Sequence, residues 1–318
     1  MTDATATLAE SPVELKKSGT FKKVAWGFVG LLVGWTILAA FLGHNEPLKD
    51  AAGEVVFKPQ DEFGLKTWVN LDLGWIDMSI NKAVAYLMLS SLICILVGIF
   101  VVRGGLKIRP TGAQNVVELL YDFADKQIAK QTLSGSMLRK YYPFIGTMFL
   151  FVLVNNMIGF VPLPSGPHAS LWGVPDLALY AATANINVTV GLALISFLVF
   201  NYEGIKEHGV FGYVKTFIPS GKMHPFMKAM IFGIEMLSII LRLVSLAVRL
   251  FANLLAGHLL IIMATGFSLL LASYVGAVAI PFGLFFYLFE WVLIAGLQAF
   301  IFAMLSGLYI GFATSHAH

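Results

Sequence analysis

The sequence predicts an all-α integral membrane protein, and three of its properties lead to this fold class. Hydrophobic residues make up 58% of the chain, whereas charged residues make up only 12%. The mean hydropathy of +0.81 is far above that of an ordinary soluble domain. Charge-free stretches of about 20 residues, the length that spans a hydrocarbon core of roughly 30 Å, recur along the chain.

The apolar stretches predict about six membrane crossings. Four ordinary ones cover residues 24–43, 83–102, 141–161 and 182–201. Two longer stretches follow, 229–265 and 266–314, each interrupted only by isolated ionisable residues. As one helix, the stretch 229–265 would be about 54 Å long, so it must tilt steeply or break. Breakers at Gly276, Pro281 and Gly283 predict a long helical hairpin with its turn before Pro281.

Basic residues in the loops predict the orientation of these crossings, since Lys and Arg are retained on the cytoplasmic side. Four lysines precede residue 24, seven basic residues lie in 103–140, and four lie in 202–228. The segment 162–181 has none, and 44–80 has three lysines against seven acids. Both termini are therefore predicted on the cytoplasmic side. A cleaved signal peptide is the alternative for 24–43, which we interpret as a retained helix.

Outside the crossings, residues 112–133 have apolar positions at near-helical spacing with charges between them. This pattern predicts one amphipathic helix on the membrane surface. We expect two parts in the chain. Residues 1–80 form an N-terminal extension with an extra membrane helix and an external segment, and residues 81–318 form the main membrane domain.

Several classes of function are excluded by what the sequence lacks. The net charge of +3 is small and its basic residues are dispersed, so we expect no nucleic-acid partner. The single cysteine, Cys94, rules out an internal disulfide. The sequence has no phosphate-binding glycine loop, nucleophile elbow or His/Glu pair at metal-ligand spacing, so we expect no bound nucleotide, metal or cofactor. The chemistry must lie in the buried charges.

The most unusual of these charges are Glu235, Arg242 and Arg249, which are spaced by seven residues inside an apolar run. Seven residues turn a helix through about 700°, so the three side chains lie near one stripe. Each costs about 2.5 to 3.5 kcal/mol at a helix centre. Successive members are about 10 Å apart along the axis. We therefore expect no direct ion pair between them, and a partner for each on another helix, in water or on another chain.

From the residues alone, three interpretations of this stripe stay open. The arginines fix helix packing in a structural membrane anchor, or they belong to a voltage sensor, or they belong to a stand-alone secondary transporter or ion channel. A voltage sensor is disfavoured because its arginines repeat at every third position. A transporter more often shows broken helices in two repeated halves, and no repeat is visible.

Two motifs carry a family resemblance. "SLAVRLFANLLAGH" (245–258) and "LQAFIFAMLSGLYI" (297–310) resemble the signature of subunit a of the F-type proton-translocating ATP synthases, and the similarity extends over about 80–314. The resemblance implies a non-catalytic, proton-conducting stator that provides two half-channels. Its implied partners are a ring of small two-helix subunits with one membrane carboxylate each, and a peripheral stalk. We expect a bacterial plasma membrane, because no Arg- and Ser-rich, acid-poor transit peptide is visible, with an organellar inner membrane as the alternative.

The resemblance also implies roles for individual residues. Arg249 would face the ring carboxylate, favour its ionised form and block proton leakage between the half-channels. Asn253 and Gln298 would lie beside it. The supporting positions are Arg242, Ser245 and Gly257, with Gly257 allowing close approach of either the ring or a neighbouring helix. The implied proton path consists of Glu290, His258, Glu235, Asn155, Asn156, Asn185 and Asn187. For the four asparagines, hydrogen bonding between helices is the alternative.

Glu290 departs from the family pattern by one residue. It precedes Gln298 by eight positions where the family interval is seven, which rotates the carboxylate by about 100° on a regular helix. Either a local bulge restores its aim, or Glu290 lines the entry channel from another angle. A buried pair of His258 and Glu290 is expected in the first case.

Overall fold

We describe the protein from a computed structural model. The structure describes residues 67–69, 79–103, 112–133, 135–161, 180–218, 224–270 and 283–314, together with Gly30 and Gly64.

Five helices in the described part of the chain are long and apolar enough to cross a membrane. They are α1 (Lys82–Arg103), α3 (Gly135–Gly159), α4 (Ile186–His208), α6 (Pro225–Leu270) and α7 (Gly283–Thr314). These helices confirm the all-α membrane fold. The predicted crossing at 24–43 lies outside the described residues, apart from Gly30.

The bounds of two crossings differ from the prediction. Helix α3 begins at Gly135, six residues before the predicted start, because the polar residues ahead of the apolar run continue the same helix. Residues Ala182–Ala184 form a 3₁₀ turn rather than the start of a crossing. Helix α4 begins only at Ile186, where the side chain of Asn185 accepts a hydrogen bond from the Asn187 backbone N–H at 2.8 Å and caps the helix.

Helix α6 is one continuous helix of 46 residues, which confirms that the run around Arg249 does not break. Its length is about 69 Å at 1.5 Å per residue, more than twice the hydrocarbon thickness, so in a bilayer it must tilt and also extend beyond the hydrocarbon core. The boundary expected at about Thr265 and Gly266 is not present, because α6 continues without interruption through Gly266 to Leu270. The expected turn near Pro281 lies outside the described residues.

The membrane helices pack into one bundle. Helix α7 packs along α3 and α4, α4 also packs against α6, and α1 packs against α3. Polar contacts join the helices inside this core. Ser196 of α4 donates to Ser306 of α7 at 2.8 Å, and Lys140 of α3 pairs with the buried Glu203 of α4 at 2.7 Å. Buried hydrogen bonds between helices fix the packing where lipid provides no hydrophobic driving force.

Three smaller elements lie outside the bundle helices. The predicted surface helix is present as α2 (Ala113–Phe123), which continues through a π-helical segment, Ala124–Ala129, into Lys130–Thr132. Helix α5 (Val210–Thr216) follows α4. A short antiparallel pair of strands, β1 (Thr67–Val69) and β2 (Ile80–Asn81), precedes α1.

Candidate functional site

The first part of the site is the charged stripe on α6. The Nη2 atom of Arg242 lies 3.5 Å from the Oε1 atom of Glu235, and the Arg242 guanidinium lies 5.6 Å from the ring centre of Tyr309 on α7. The prediction that these two residues are too far apart for a direct ion pair was therefore wrong. Both side chains extend along the helix and close the gap that the backbone spacing leaves, so Arg242 is neutralised within the chain.

Arg249 has a different environment two turns further along the helix. Its guanidinium donates to the Oγ atom of Ser245 at 3.3 Å, one turn earlier. Among the described residues, none of the ion pairs includes Arg249. Its side chain is partly exposed, and Asn253, the next polar residue on this side, is exposed. Arg249 is thus a fixed cation that a carboxylate from outside the chain can reach.

Gln298 lies on α7 and is buried, with 4% of its surface exposed. Within the described residues the structure contains no hydrogen bond between Gln298 and Arg249. The two residues expected beside the arginine therefore differ in position, because Asn253 is at the surface of α6 and Gln298 is inside the bundle.

The second part of the site is a buried acid–base pair between α6 and α7. The Nδ1 atom of His258 lies 3.9 Å from the Oε1 atom of Glu290, and both side chains are buried. Gly257 provides the space for this approach, since a Cβ atom at that position would overlap the Glu290 carboxylate. Of the two explanations for Gly257, the structure shows close approach to a neighbouring helix.

His258 is held by acceptors on both sides of its ring. Its Nδ1 atom lies 3.0 Å from the carbonyl oxygen of Leu254, and its Nε2 atom lies 3.4 Å from that of Gly159 at the end of α3. The ring also packs against Phe160, with ring centres 4.5 Å apart. Neutral imidazole can donate to only one of the two carbonyls, whereas imidazolium can donate to both. In the neutral ring, one unprotonated nitrogen therefore faces a carbonyl oxygen.

Glu290, unlike His258, has a buried polar atom without a hydrogen-bond partner. No described residue donates to its Oε1 atom. A buried carboxylate oxygen in this state carries a large free-energy cost unless the group takes up a proton or meets a donor. Together, His258 and Glu290 place two titratable groups 3.9 Å apart inside the bundle.

A π-helical turn explains the position of Glu290. Residues Glu290–Ile294 form this turn, and the backbone N–H of Ala295 donates to the carbonyl oxygen of Glu290, five residues back. The turn accommodates one extra residue and restores the register of the helix beyond it. Of the two alternatives for the offset, the structure contains the local bulge, which takes up the extra residue between Glu290 and Gln298.

The four asparagines occupy three kinds of environment. Asn156 is fully buried and bridges three elements, because it donates to the carbonyl oxygen of Ala295 at 3.1 Å and accepts from the Thr183 hydroxyl at 2.7 Å. Asn155 is buried, with an Oδ1 atom that lacks a partner among the described residues. Asn185 caps α4 as described above, and Asn187 is exposed. The contacts of Asn156 match the alternative of hydrogen bonding between helices.

Comparison with known proteins agrees with this geometry. The model of the family described as "ATP synthase A chain" matches residues 84–311, which include the charged stripe and the buried pair. The chain belongs to the ATP synthase A chain family. ATP synthase subunit a of Chloroherpeton thalassium is 34% identical over 284 residues, covering 86% of this chain and 79% of the relative. That of Chlorobium phaeobacteroides is 35% identical over 293 residues, covering 86% and 78%. That of Parafrankia sp. is 36% identical over 290 residues, covering 89% and 88%.

As a member of this family, the chain is a multi-pass membrane protein and a non-catalytic subunit of a larger complex.

The family motifs on α6 and α7 do not include the residues that support Glu290. Tyr287 donates to the carbonyl oxygen of Phe160, and the Trp291 indole donates to that of Met157 at 3.2 Å. Both anchor the π-helical turn to the end of α3. The sequence signal for these supports is a Tyr and a Trp close to an isolated acid in an apolar run, since buried Tyr and Trp side chains usually find a hydrogen-bond partner.

The close contact between Gly257 and Glu290 leads to a prediction. Gly257→Ala should lower proton-driven ATP synthesis by about tenfold or more, because the added methyl group displaces the carboxylate from His258 and small misplacements of reacting groups are costly. Gly233→Ala is the matched control on the same helix, since a Cβ atom there meets no described atom within 4 Å. Synthesis rates are measured in membrane vesicles, with an immunoblot for assembly. Equal rates for the two variants would contradict the role assigned to Gly257.

Proposed function

We infer that this chain is the proton-translocating stator subunit of the membrane sector of an F-type ATP synthase. The observation that carries this inference is Arg249, a partly exposed cation without a carboxylate partner among the described residues, on one continuous helix of 46 residues. Arg242 on the same stripe is paired within the chain. The contrast supports a role for Arg249 towards a group on another subunit.

In this proposal Arg249 meets the membrane carboxylate of each rotor subunit in turn. A fixed cation in a low-dielectric region favours the ionised form of an arriving carboxylic acid, so the acid releases its proton there. The same charge repels protons that would pass directly from one half-channel to the other. Ser245 holds the guanidinium from one turn away, and Asn253 and Gln298 contribute polar groups to the surrounding region.

The buried pair of Glu290 and His258 belongs to the entry half-channel in this proposal. Its support is a buried carboxylate oxygen without a donor among the described residues, beside an imidazole whose two nitrogens both face acceptors. The buried Oδ1 atom of Asn155 on α3 is a second acceptor without a partner among the described residues. On the opposite side of Arg249, Glu235 and Arg242 form the polar lining of the exit half-channel.

We also propose the wider setting. Residues 1–80 form an N-terminal extension with an extra membrane helix, and residues 81–318 form the subunit a membrane domain. The transported ion is the proton, and the membrane is the bacterial plasma membrane, which the bacterial relatives support. A stand-alone transporter or channel, the alternative interpretation of the buried arginines, gains no support from the family assignment.

Purification distinguishes these possibilities. We expect the affinity-tagged chain, extracted in mild detergent, to retain a small two-helix subunit with one membrane carboxylate and the subunits of a peripheral stalk. The physical reason is that α6 carries a cation, Arg249, without a carboxylate partner among the described residues, which a carboxylate of another chain can supply. Mass spectrometry of the purified sample identifies the partners. Recovery of an active monomer that conducts ions alone would favour the transporter.

A further inference from the structure

The short helix α5 presents an exposed face directly at a membrane boundary. The preceding membrane helix α4 ends at His208, and Gly209 has a φ of 72°, in the left-handed region that favours glycine. The chain therefore changes direction at Gly209. Helix α5 starts at the next residue, Val210, immediately beside the end of a membrane-crossing helix.

One residue, Tyr213, fixes α5 against the bundle. Its hydroxyl group donates to the Oδ1 atom of Asn201 at 3.0 Å, and the side chain is buried. The Tyr213 ring also lies against Gly204, where a Cβ atom would overlap it. Since one side of the helix is held in this way, the direction of its other side is fixed as well.

The other side of α5 is apolar and exposed. At 100° per residue, Val210, Val214, Phe211 and Lys215 lie within an arc of about 140°, away from Tyr213. Phe211 is 91% exposed, Val210 61% and Val214 43%. These three side chains form one contiguous exposed apolar patch, and such patches mark sites of contact with a partner or a membrane.

Positive charge accompanies this apolar face. Lys215 is exposed on α5 itself, and Lys206 is exposed on the last turns of α4, with its ammonium group 5.9 Å from the ring centre of the exposed Tyr202. Glu207 is the one exposed acid among residues 201–218, because Glu203 is buried in an ion pair with a lysine of α3. The two lysines therefore outweigh the acid around α5.

We propose that this face of α5 is a binding surface for anionic phospholipid headgroups of the adjoining leaflet. Val210, Phe211 and Val214 enter the boundary between headgroups and acyl chains, where aromatic and apolar residues of interfacial helices are buried. Lys206 and Lys215 pair with lipid phosphates. Each lysine near an anionic surface contributes about fivefold in lipid affinity. A neutral lipid satisfies the apolar residues but leaves both lysines without an anionic partner.

Fluorescence quenching tests this proposal on the assembled complex in vesicles. Phe211→Trp introduces an indole at the centre of the face, and the parent complex provides the signal of the native tryptophans for subtraction. Vesicles of phosphatidylcholine contain the same mole fraction of either brominated phosphatidylglycerol or brominated phosphatidylcholine. We expect both brominated lipids to quench the new indole, and brominated phosphatidylglycerol to quench it more strongly.

Two further variants make the result specific. Adding Lys206→Gln and Lys215→Gln to Phe211→Trp should remove the preference for phosphatidylglycerol. Leu198→Trp, at a position on α4 that is 57% exposed, should show no preference, because it has no lysine beside it in the helix. If Phe211→Trp prevents assembly, as shown by immunoblot, Val214→Trp takes its place.

Three outcomes would overturn the proposal. Absence of quenching by both lipids would place α5 in water. Equal quenching by the two lipids would leave membrane contact without recognition of anionic headgroups. Quenching in the isolated chain but not in the assembled complex would show that another subunit covers this face.

Discussion

Replacing Arg249 with alanine is expected to abolish ATP-driven proton pumping in membranes that still contain the assembled complex. Without the fixed cation, a rotor carboxylate facing the stator stays protonated and neutral, so it does not release its proton at the right position. Among the described residues, the nearest arginine along α6 is Arg242, which is already paired with Glu235 at 3.5 Å. It cannot replace Arg249. The measurement is acidification of inverted vesicles after ATP is added, with an immunoblot for assembly.

Two further variants test whether a different cation can replace Arg249 and whether Arg242 has the same importance. Arg249→Lys should also be strongly impaired, because the ammonium group is a flexible point charge that loses its proton more readily when desolvated. Arg242→Ala should be milder, since it removes an arginine that is neutralised by Glu235 and packed on Tyr309. If Arg242→Ala were as severe as Arg249→Ala, the distinction between the two arginines would be lost.

Glu290→Gln is expected to slow proton-driven ATP synthesis by about tenfold or more while the complex still assembles. A positioned group that transfers protons typically contributes about 10²- to 10⁴-fold, and the amide keeps the size of the carboxylic acid but cannot exchange a proton. The packing around Tyr287 and Trp291 should therefore survive. Synthesis is measured in vesicles with an imposed pH gradient.

The matched control for this variant is Glu118→Gln on the surface helix α2. Glu118 is exposed and accepts a hydrogen bond from Gln114 one turn earlier. The same change of carboxylate to amide at this position should leave the rate of synthesis unchanged. An assembled Glu290→Gln complex that synthesises ATP at the wild-type rate would make Glu290 a structural acid.

The course of the long helices was predictable because it depends on local properties of the chain. No glycine pair or proline interrupts the run around Arg249, and leucine and isoleucine are favourable in a membrane helix, so one continuous α6 follows. The continuation of α6 through residues 266–270 was not predictable, because these residues are about as apolar as those before them and hydropathy alone does not assign them to one helix or the next.

The position of Glu290 shows what spacing can and cannot decide. Glu290 precedes Gln298 by eight residues instead of seven, which indicates a local departure from the family pattern. Both a helical bulge and a rotated side chain are compatible with this spacing. The π-helical turn is selected by contacts with another helix. Asn156 donates to the carbonyl oxygen of Ala295, and Trp291 donates to that of Met157. Partners more than 130 residues away in the sequence cannot be read from the local pattern.

Side-chain reach and packing between helices account for the other differences. The backbone rise alone separates Glu235 and Arg242 by about 10 Å and does not predict their ion pair. The pair forms because the two side chains extend towards each other. The pair of Lys140 and Glu203, 63 residues apart, depends on which helix ends meet in the bundle. Both contacts involve charges that the sequence displays clearly, but their partners are set by tertiary structure.

The central claim is that Arg249 alone separates the two half-channels, and passive proton leak tests it most directly. Inverted vesicles that contain the assembled Arg249→Ala complex are given a pH gradient without ATP, and the decay of the gradient is followed with a pH-sensitive dye. We predict a faster decay than in wild-type vesicles, together with no acidification when ATP is then added. A membrane as tight as the wild type that acidifies normally on ATP addition would contradict the account.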